Sequence, residues 1–212
     1  MTKRFIAVAG NIGAGKSTLT RLLSQRLKWE PFYEAETENP YLADFYEDMA
    51  GFAFHSQIFF LSKRLRHLKR LALHPGPTVQ DRTIYEDAEV FARALYLGGY
   101  INPRDYHTYR ELYEAASELL PSPDLVVYLR ASVPTLLDRI AQRGRGYERV
   151  ITPAYLEQLS NLYEAWLGSF SLCPVLTVPA DTLDFVHSET NLALVVAKIE
   201  EKLSGKDEVV FD

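Results

Sequence analysis

The residues with the plainest chemistry lie in FIAVAGNIGAGKSTLTRLL, residues 5–23. Gly10, Gly15, Lys16 and Ser17 complete the pattern Gly-x4-Gly-Lys-Ser, with Asn11, Ile12, Gly13 and Ala14 between the glycines and Thr18 just after. A glycine-rich turn of this kind lets successive backbone N–H groups curl around phosphate oxygens, and a helix that starts there adds positive potential. Lys16 is expected to reach the β- and γ-phosphates, and the Ser17 hydroxyl to ligate Mg²⁺. The loop therefore implies a nucleoside triphosphate, ATP in the first instance. It is silent about what accepts the phosphate.

Three arginines bear on that question. In RIAQRGRGYER, Arg139 and Arg143 are one helical turn apart and Arg145 follows Gly144. Guanidinium groups converging from a helix end and a flexible loop suit a lid, about residues 139–150, over a transferring phosphoryl group. Such lids belong to small-molecule kinases, where closure keeps water from the donor. Asp81 and Arg82 end the apolar run TVQDR, at the kind of strand end where ligand groups collect in open α/β sheets. Gln57 and Arg64, seven residues apart, share a helical face, and so do Asp87 and Phe91, four apart. An aromatic at Phe91 is by itself ordinary core.

The elements that must carry these groups can be read from hydrophobic pattern. RFIAVAG, TVQD, DLVVYLRA and PVLTVPA are short apolar runs of the kind buried on both faces of a parallel sheet, and EPFYEAE is a weaker fifth. Leu19, Leu22, Leu23 and Leu27 fall on one helical face after the glycine loop. Residues 52–73, 85–98, 103–120, 133–143, 153–170 and 188–203 also read as helices. Strands alternating with helices predict an α/β sheet wound on both faces. There is no repeat or linker, so residues 1–212 are expected to form one domain, with SGKDEVVFD as a frayed tail.

Composition narrows the function classes. Hydrophobic residues make up 47% of the 212, as in a globular protein. A net charge of −5 argues against a general binder of nucleic-acid polymers, and no apolar run is long enough to cross a membrane. A single cysteine, Cys173, excludes a disulfide framework and suits a reducing cytoplasm. The Asn-Lys-x-Asp guanine reader of GTP switch proteins is absent.

Taken together, GNIGAGKST, Tyr33-Glu34, FYEDMAGFAFHSQ, DRTIYEDAEVF and RGRGYE resemble the deoxynucleoside kinases, from about residue 5 to about 185. The resemblance implies a P-loop kinase fold, a five-stranded parallel sheet flanked by helices with an arginine-rich lid, and a homodimer formed through helices on one side. It also implies roles. Glu34 matches the general base that takes the 5′-hydroxyl proton; chemistry alone does not choose it over Glu30, Glu36 and Glu38. Asp81 matches the acidic residue near Mg²⁺, and Arg82 the arginine that steadies the 5′-oxygen and the phosphates. Gln57, Arg64, Asp87 and Phe91 match positions around the base, and Tyr46 with Glu148 the pair that grips the sugar 3′-hydroxyl. Asp184-Phe185 resembles the loop over the donor adenine.

An ionised carboxylate at Asp87 accepts hydrogen bonds, so it favours a base with an exocyclic amine and disfavours the carbonyl face of thymine. The expected activity is transfer of the γ-phosphate of ATP to the 5′-hydroxyl of a deoxynucleoside in nucleotide salvage. The compact bacterial relatives point to deoxyadenosine or deoxyguanosine, with deoxycytidine open. Two alternatives stand beside it: a thymidylate-type nucleoside monophosphate kinase, which shares the fold, the Asp-Arg pair and the lid, and a non-catalytic ATP-binding regulatory module.

Overall fold

The structure is a computed structural model and describes residues 3–33, 39–205 and 211. Five parallel strands form one sheet: β1 (Phe5–Gly10), β2 (Glu30–Phe32), β3 (Thr78–Asp81), β4 (Leu125–Arg130) and β5 (Val175–Pro179), in the order β2-β3-β1-β4-β5. Val8 lies beside Asp81 and Gly10 beside Leu129, so the loop after β1 and the Asp81-Arg82 pair leave the sheet at neighbouring carboxyl ends. From β1 the chain returns on one side as β2 and later on the other as β4, which opens a crevice above that end.

Every residue of β1 is buried, because helices cover both faces of the sheet. The period of two then sorts the side chains. Phe5, Ala7 and Ala9 join Val126 and Tyr128 in one core, and Ile6 and Val8 join Leu125, Val127 and Leu129 in another. Against the first pack α3 (Met49–Leu73), α6 (Pro103–Glu118) and α8 (Pro153–Ser169), through Leu61, Leu68, Tyr109, Leu159 and Tyr163. Against the second pack α1 (Lys16–Leu27), α7 (Val133–Arg143) and α9 (Glu189–Leu203), through Leu19, Leu23, Leu136, Ile140, Val195 and Ile199.

The predicted strands are all present, including the weak fifth. It spans Glu30–Phe32, and residues 34–36 of the predicted run lie outside the described residues. Of the predicted tail, residues 206–210 and 212 also lie outside them.

Three local departures matter for the site. The helix expected from residue 52 starts at Met49, because the Asp48 side chain accepts the Gly51 N–H and caps it. A short helix, α2 (Leu42–Glu47), precedes it and packs Leu42 and Phe45 against Ala53, Leu95 and Ile101. The single helix expected over 85–98 opens as α4 (Ile84–Glu86), widens into a π-helical segment Asp87–Ala92, and closes as α5 (Arg93–Leu97). Among the described residues no helix is long and apolar enough to cross a membrane.

Candidate active site

A cleft of about 750 Å³ opens above the carboxyl ends of the strands. Its floor is the glycine loop. Gly13 has φ +83°, and a Cβ there would stand 2.8 Å from the Leu136 carbonyl oxygen, so the turn admits only glycine. Ile12, Gly13, Gly15, Lys16, Ser17 and Thr18 all face the cleft. Asn11 does not use its side chain there. Its amide donates to the Leu156 carbonyl and to Ser160 Oγ, both at 2.9 Å, and its oxygen accepts the Ile12 N–H, which fastens the loop to α8. Gly10 and Ala14 complete the turn, and the Ala14 N–H bonds the Asn11 carbonyl at 3.1 Å. The Lys16 Nζ folds back on that same carbonyl at 2.9 Å.

Ser17 Oγ lies 2.5 Å from Asp81 Oδ2, which joins the start of α1 to the end of β3. A hydroxyl and a carboxylate oxygen side by side make a hard-donor set that suits Mg²⁺. Among the described residues there is no cluster of three or more His, Cys, Asp or Glu able to hold a metal. Such an ion would therefore depend on phosphate and water oxygens for its other ligands, as Mg²⁺ commonly does.

Next to Asp81, Arg82 adopts φ +67° and is buried, with its guanidinium 4.2 Å from the centroid of the Phe91 ring. A non-glycine residue at positive φ stores strain, and such positions cluster at functional sites. Phe91 lines the cleft and meets Tyr163 edge-on at 6.4 Å. The cation over this ring and the ring itself thus form part of one wall.

Arg64 and Asp87, with Gln57 on the same buried stripe of α3 as Arg64, form a buried polar patch. Gln57 and Arg64 lie on the buried stripe of α3 with Ala53, Leu61 and Leu68. Arg64 Nε bonds Asp87 Oδ2 at 3.0 Å and Nη2 reaches Oδ1 at 3.5 Å, while Nη1 donates to the Asp81 carbonyl at 3.0 Å. Both side chains of the pair are at most 4% exposed. Gln57, Asp87 and Phe91 line the cleft, and Arg64 braces Asp87.

On the opposite wall, Tyr46 of α2 stacks on Tyr147 with centroids 5.6 Å apart. Tyr147 belongs to a 3-10 turn, Gly146–Val150, and its neighbour Glu148 is buried at the cleft. Arg143 holds Glu148 through Nε at 3.1 Å and Nη2 at 2.5 Å, and Arg145 lies 3.5 Å from it. Arg139 is engaged differently. It donates to the Ala14 carbonyl at 3.1 Å and the Ala180 carbonyl at 2.7 Å, so it ties the glycine loop to the loop after β5. That loop carries Asp184 and Phe185. Phe185 is buried beside the glycine loop, and Asp184 accepts the N–H groups of Val186 and His187. Those two amides and the His187 ring, led by the His187 amide, hold the Asp184 carboxyl below its usual range.

Glu34, like Glu36 and Glu38, lies outside the described residues. Two buried groups at the site escape a reading by motif. Glu86 accepts the Gly10 N–H at 3.1 Å and the Thr83 N–H at 2.8 Å, and burial pushes its carboxyl up despite Arg82 and Lys16 nearby. Tyr163 Oη sits 2.7 Å from both the Gly10 carbonyl and Glu86 Oε1. The one available signal was the Thr83-x-x-Glu86 spacing, which marks a capping box.

A glycine loop of the phosphate-binding pattern, a strained arginine and a buried polar patch at one cleft define a phosphotransferase of the P-loop class. Residues 6–204 match the deoxynucleoside kinase family, and the chain belongs to that family. It is 39% identical over 196 residues to a deoxyadenosine/deoxycytidine kinase of Bacillus subtilis, covering 92% of this chain and 90% of that protein. It is 35% identical to a Bacillus subtilis deoxyguanosine kinase, covering 94% and 98%. Among solved structures, deoxyadenosine kinase from M. mycoides with the products dCMP and a flexible dCDP superposes with a TM-score of 0.82 at 33% identity, covering 93% and 99%.

Proposed function

We propose that this enzyme transfers the γ-phosphate of ATP to the 5′-hydroxyl of a deoxynucleoside whose base carries an exocyclic amine, deoxyadenosine and deoxyguanosine first and deoxycytidine beside them. The observation that carries this reading is the buried Arg64–Asp87 pair, whose Asp87 lines with Gln57 a cleft that has the glycine loop as its floor. A carboxylate keeps lone pairs beyond those given to Arg64, and an amine can use them. Thymine would present a carbonyl to the same oxygens.

Each remaining residue takes a role consistent with its place. The loop amides from Ile12 to Thr18 and the Lys16 ammonium bind the donor phosphates, and the Phe185 ring with the turn built on Asp184 covers the donor base. Ser17 and Asp81 would hold Mg²⁺, which when bound neutralises charge on the donor phosphates. Arg82 steadies the 5′-oxygen and the phosphoryl group in flight, and Phe91 stacks on the nucleobase. Tyr46 and Glu148 receive the 3′-hydroxyl. Arg139 anchors a lid over residues 139–150 while Arg143 and Arg145 supply its charge. Glu34 is the base for the 5′-hydroxyl. Two copies pair through helices on one flank, a reading that the exposed Leu112 and Leu119 at α6 support.

The test is a panel of the four deoxynucleosides and dTMP with labelled ATP. Transfer to the amine-bearing deoxynucleosides above thymidine is expected. Turnover of dTMP instead would favour a monophosphate kinase, and ATP binding with no transfer to any acceptor would favour a regulatory module.

A further inference from the structure

The donor and acceptor sides of the cleft meet at one buried cluster that no phosphate or nucleoside needs to touch. Gly10, the first glycine of the phosphate loop, has both of its backbone polar groups engaged there. Its N–H donates to Glu86 Oε1 at 3.1 Å, and its carbonyl accepts from Tyr163 Oη at 2.7 Å. A Cβ at Gly10 would stand 2.9 Å from the Leu129 carbonyl, so this part of the loop is also pressed against β4. Arg82 reaches the same two side chains: Nη1 lies 3.4 Å from Tyr163 Oη and 3.9 Å from Glu86 Oε1. Glu86 Oε2 takes the Thr83 N–H at 2.8 Å, which fixes the backbone just past Arg82. Glu86 and Tyr163 are both 0% exposed, so these bonds are made without competing water.

Counting protons adds a further constraint. Tyr163 Oη is 2.7 Å from two oxygens, the Gly10 carbonyl and Glu86 Oε1, yet a hydroxyl has one proton to give. The carbonyl can only accept. Both short contacts are satisfied together when Tyr163 gives its own proton to the Gly10 carbonyl and the proton it shares with the carboxyl comes from Glu86, that is, from a neutral acid. The charged groups facing it are Arg82 at the end of β3 and Lys16 at the start of α1, both cationic, and burial outweighs them.

We propose that Glu86 and Tyr163 are positioning residues for phosphoryl transfer, which fasten the first glycine of the phosphate loop and Arg82 to one neutral hydrogen-bonded unit. The donor phosphate and the attacking oxygen are bound by different elements, and a shift of either misplaces the reacting atoms. A rigid link between the loop that holds one and the arginine that steadies the other keeps that spacing. This inference rests on the kinase reading above.

The test compares Tyr163→Phe, Glu86→Gln and Glu86→Ala with wild type by kcat, KM for ATP, KM for the nucleoside and thermal midpoint. Tyr163→Phe keeps the ring that stacks on Tyr128 and removes only the hydroxyl. It is expected to lower kcat about tenfold with both KM values within about threefold, because ground-state contacts survive and alignment does not. Glu86→Gln is neutral and can accept from Thr83 and donate to Tyr163, but its NH2 then faces the Gly10 N–H and that bond is lost. Keeping two of the three links, it should retain more kcat than Glu86→Ala, which keeps none. Wild-type kcat in folded Tyr163→Phe, with only the thermal midpoint lowered, would make the cluster merely structural and overturn the proposal. Equal kcat in Glu86→Gln and Glu86→Ala would overturn the neutral unit. If Glu86→Ala does not fold, Tyr163→Phe decides alone. Wild type inactive on every deoxynucleoside would overturn both readings, whereas wild-type kcat in the variants overturns only this one.

Discussion

Glu148 and Arg143 form an asymmetric pair: the carboxylate side chain is 2% exposed and the guanidinium side chain 34%, and two hydrogen bonds join them. Deleting the arginine takes both of these hydrogen bonds from a buried carboxylate, with Arg145 3.5 Å away, while deleting the carboxylate leaves an arginine that water can reach. Arg143→Ala is therefore expected to lower the thermal midpoint more than Glu148→Gln, since an uncompensated buried charge is the costlier defect. If Glu148 also receives the sugar, Glu148→Gln should raise KM for deoxynucleosides by roughly 10-fold or more, the usual weight of a charged hydrogen bond. Analogues without the 3′-hydroxyl should be nearly indifferent to the change. Equal losses on both classes of substrate would remove Glu148 from the sugar site.

Lys16 offers a cleaner separation of fold from chemistry. Its ammonium bonds the Asn11 carbonyl, and alanine is at least as good a helix former in the first turn of α1. Lys16→Ala should keep the thermal midpoint within a few degrees and lower kcat by roughly 10²–10³-fold, as for loss of one charge-stabilising donor. A folded variant with near wild-type turnover would refute the phosphate assignment.

A third expectation concerns the base. Glu34→Gln should lower kcat by roughly 10²-fold or more with little change in nucleoside affinity. Glu36→Gln and Glu38→Gln should be much milder, and similar losses at all three positions would leave Glu34 without a distinct role.

How much of this could be read from the chain alone depended on the range of the interactions. The strands were legible because a parallel strand buried on both faces must be a short apolar run, as FIAVAG and LVVYLR are. That Gln57 shares a face with Arg64, and Asp87 with Phe91, was legible from helical spacing, but the bond between Arg64 and Asp87 joins two elements and needed the fold. Helix α2 was not legible, because six residues make fewer than two turns, too short a run for a helical period to stand out. The π-helical widening at Asp87–Ala92 was hidden for another reason, since its apolar spacing also fits an ordinary helix. Glu86 was the least visible. Its short-range partner Thr83 spells a cap, but its other partners, Gly10 and Tyr163, lie 76 and 77 residues away.

Glu86 also sets a pH signature. Burial raises its carboxyl above the ordinary 4.5 in the folded protein, against the pull of Arg82 and Lys16. The folded state then binds more protons than the unfolded chain between those two values, so stability falls as pH rises across that window. The contribution is fully present below about 4.5 and is lost as pH climbs through the folded-state value. Thermal midpoints measured from pH 4.5 upward should decline in wild type relative to Glu86→Gln, which has no proton to lose. Parallel curves would show that Glu86 keeps its ordinary affinity for a proton.

The most exposed prediction concerns base choice. Asp87 and Arg64 bury opposite charges against each other, with Arg64 also bonded to the Asp81 carbonyl. Asp87→Ala takes the paired carboxylate from a buried guanidinium, and breaking a buried ion pair on one side typically costs about 3–5 kcal/mol, whereas replacing both partners with apolar residues is often neutral. The double variant Arg64→Leu, Asp87→Ala should accordingly be more stable than Asp87→Ala alone. Substrate ranking should change in step. Loss of the carboxylate removes the acceptor for an exocyclic amine, so kcat/KM for deoxyadenosine should fall roughly 10- to 200-fold, the range for a charged hydrogen bond. Thymidine should gain relative to it, and gain further in the double variant, where the buried cation behind that wall is removed as well. The measurement is kcat/KM for deoxyadenosine, deoxyguanosine, deoxycytidine and thymidine on wild type and both variants. An unchanged ranking of the four in both variants would mean that Asp87 braces α3 against the helical run of α4 and α5 without reading the base, and that the base is chosen elsewhere in the cleft.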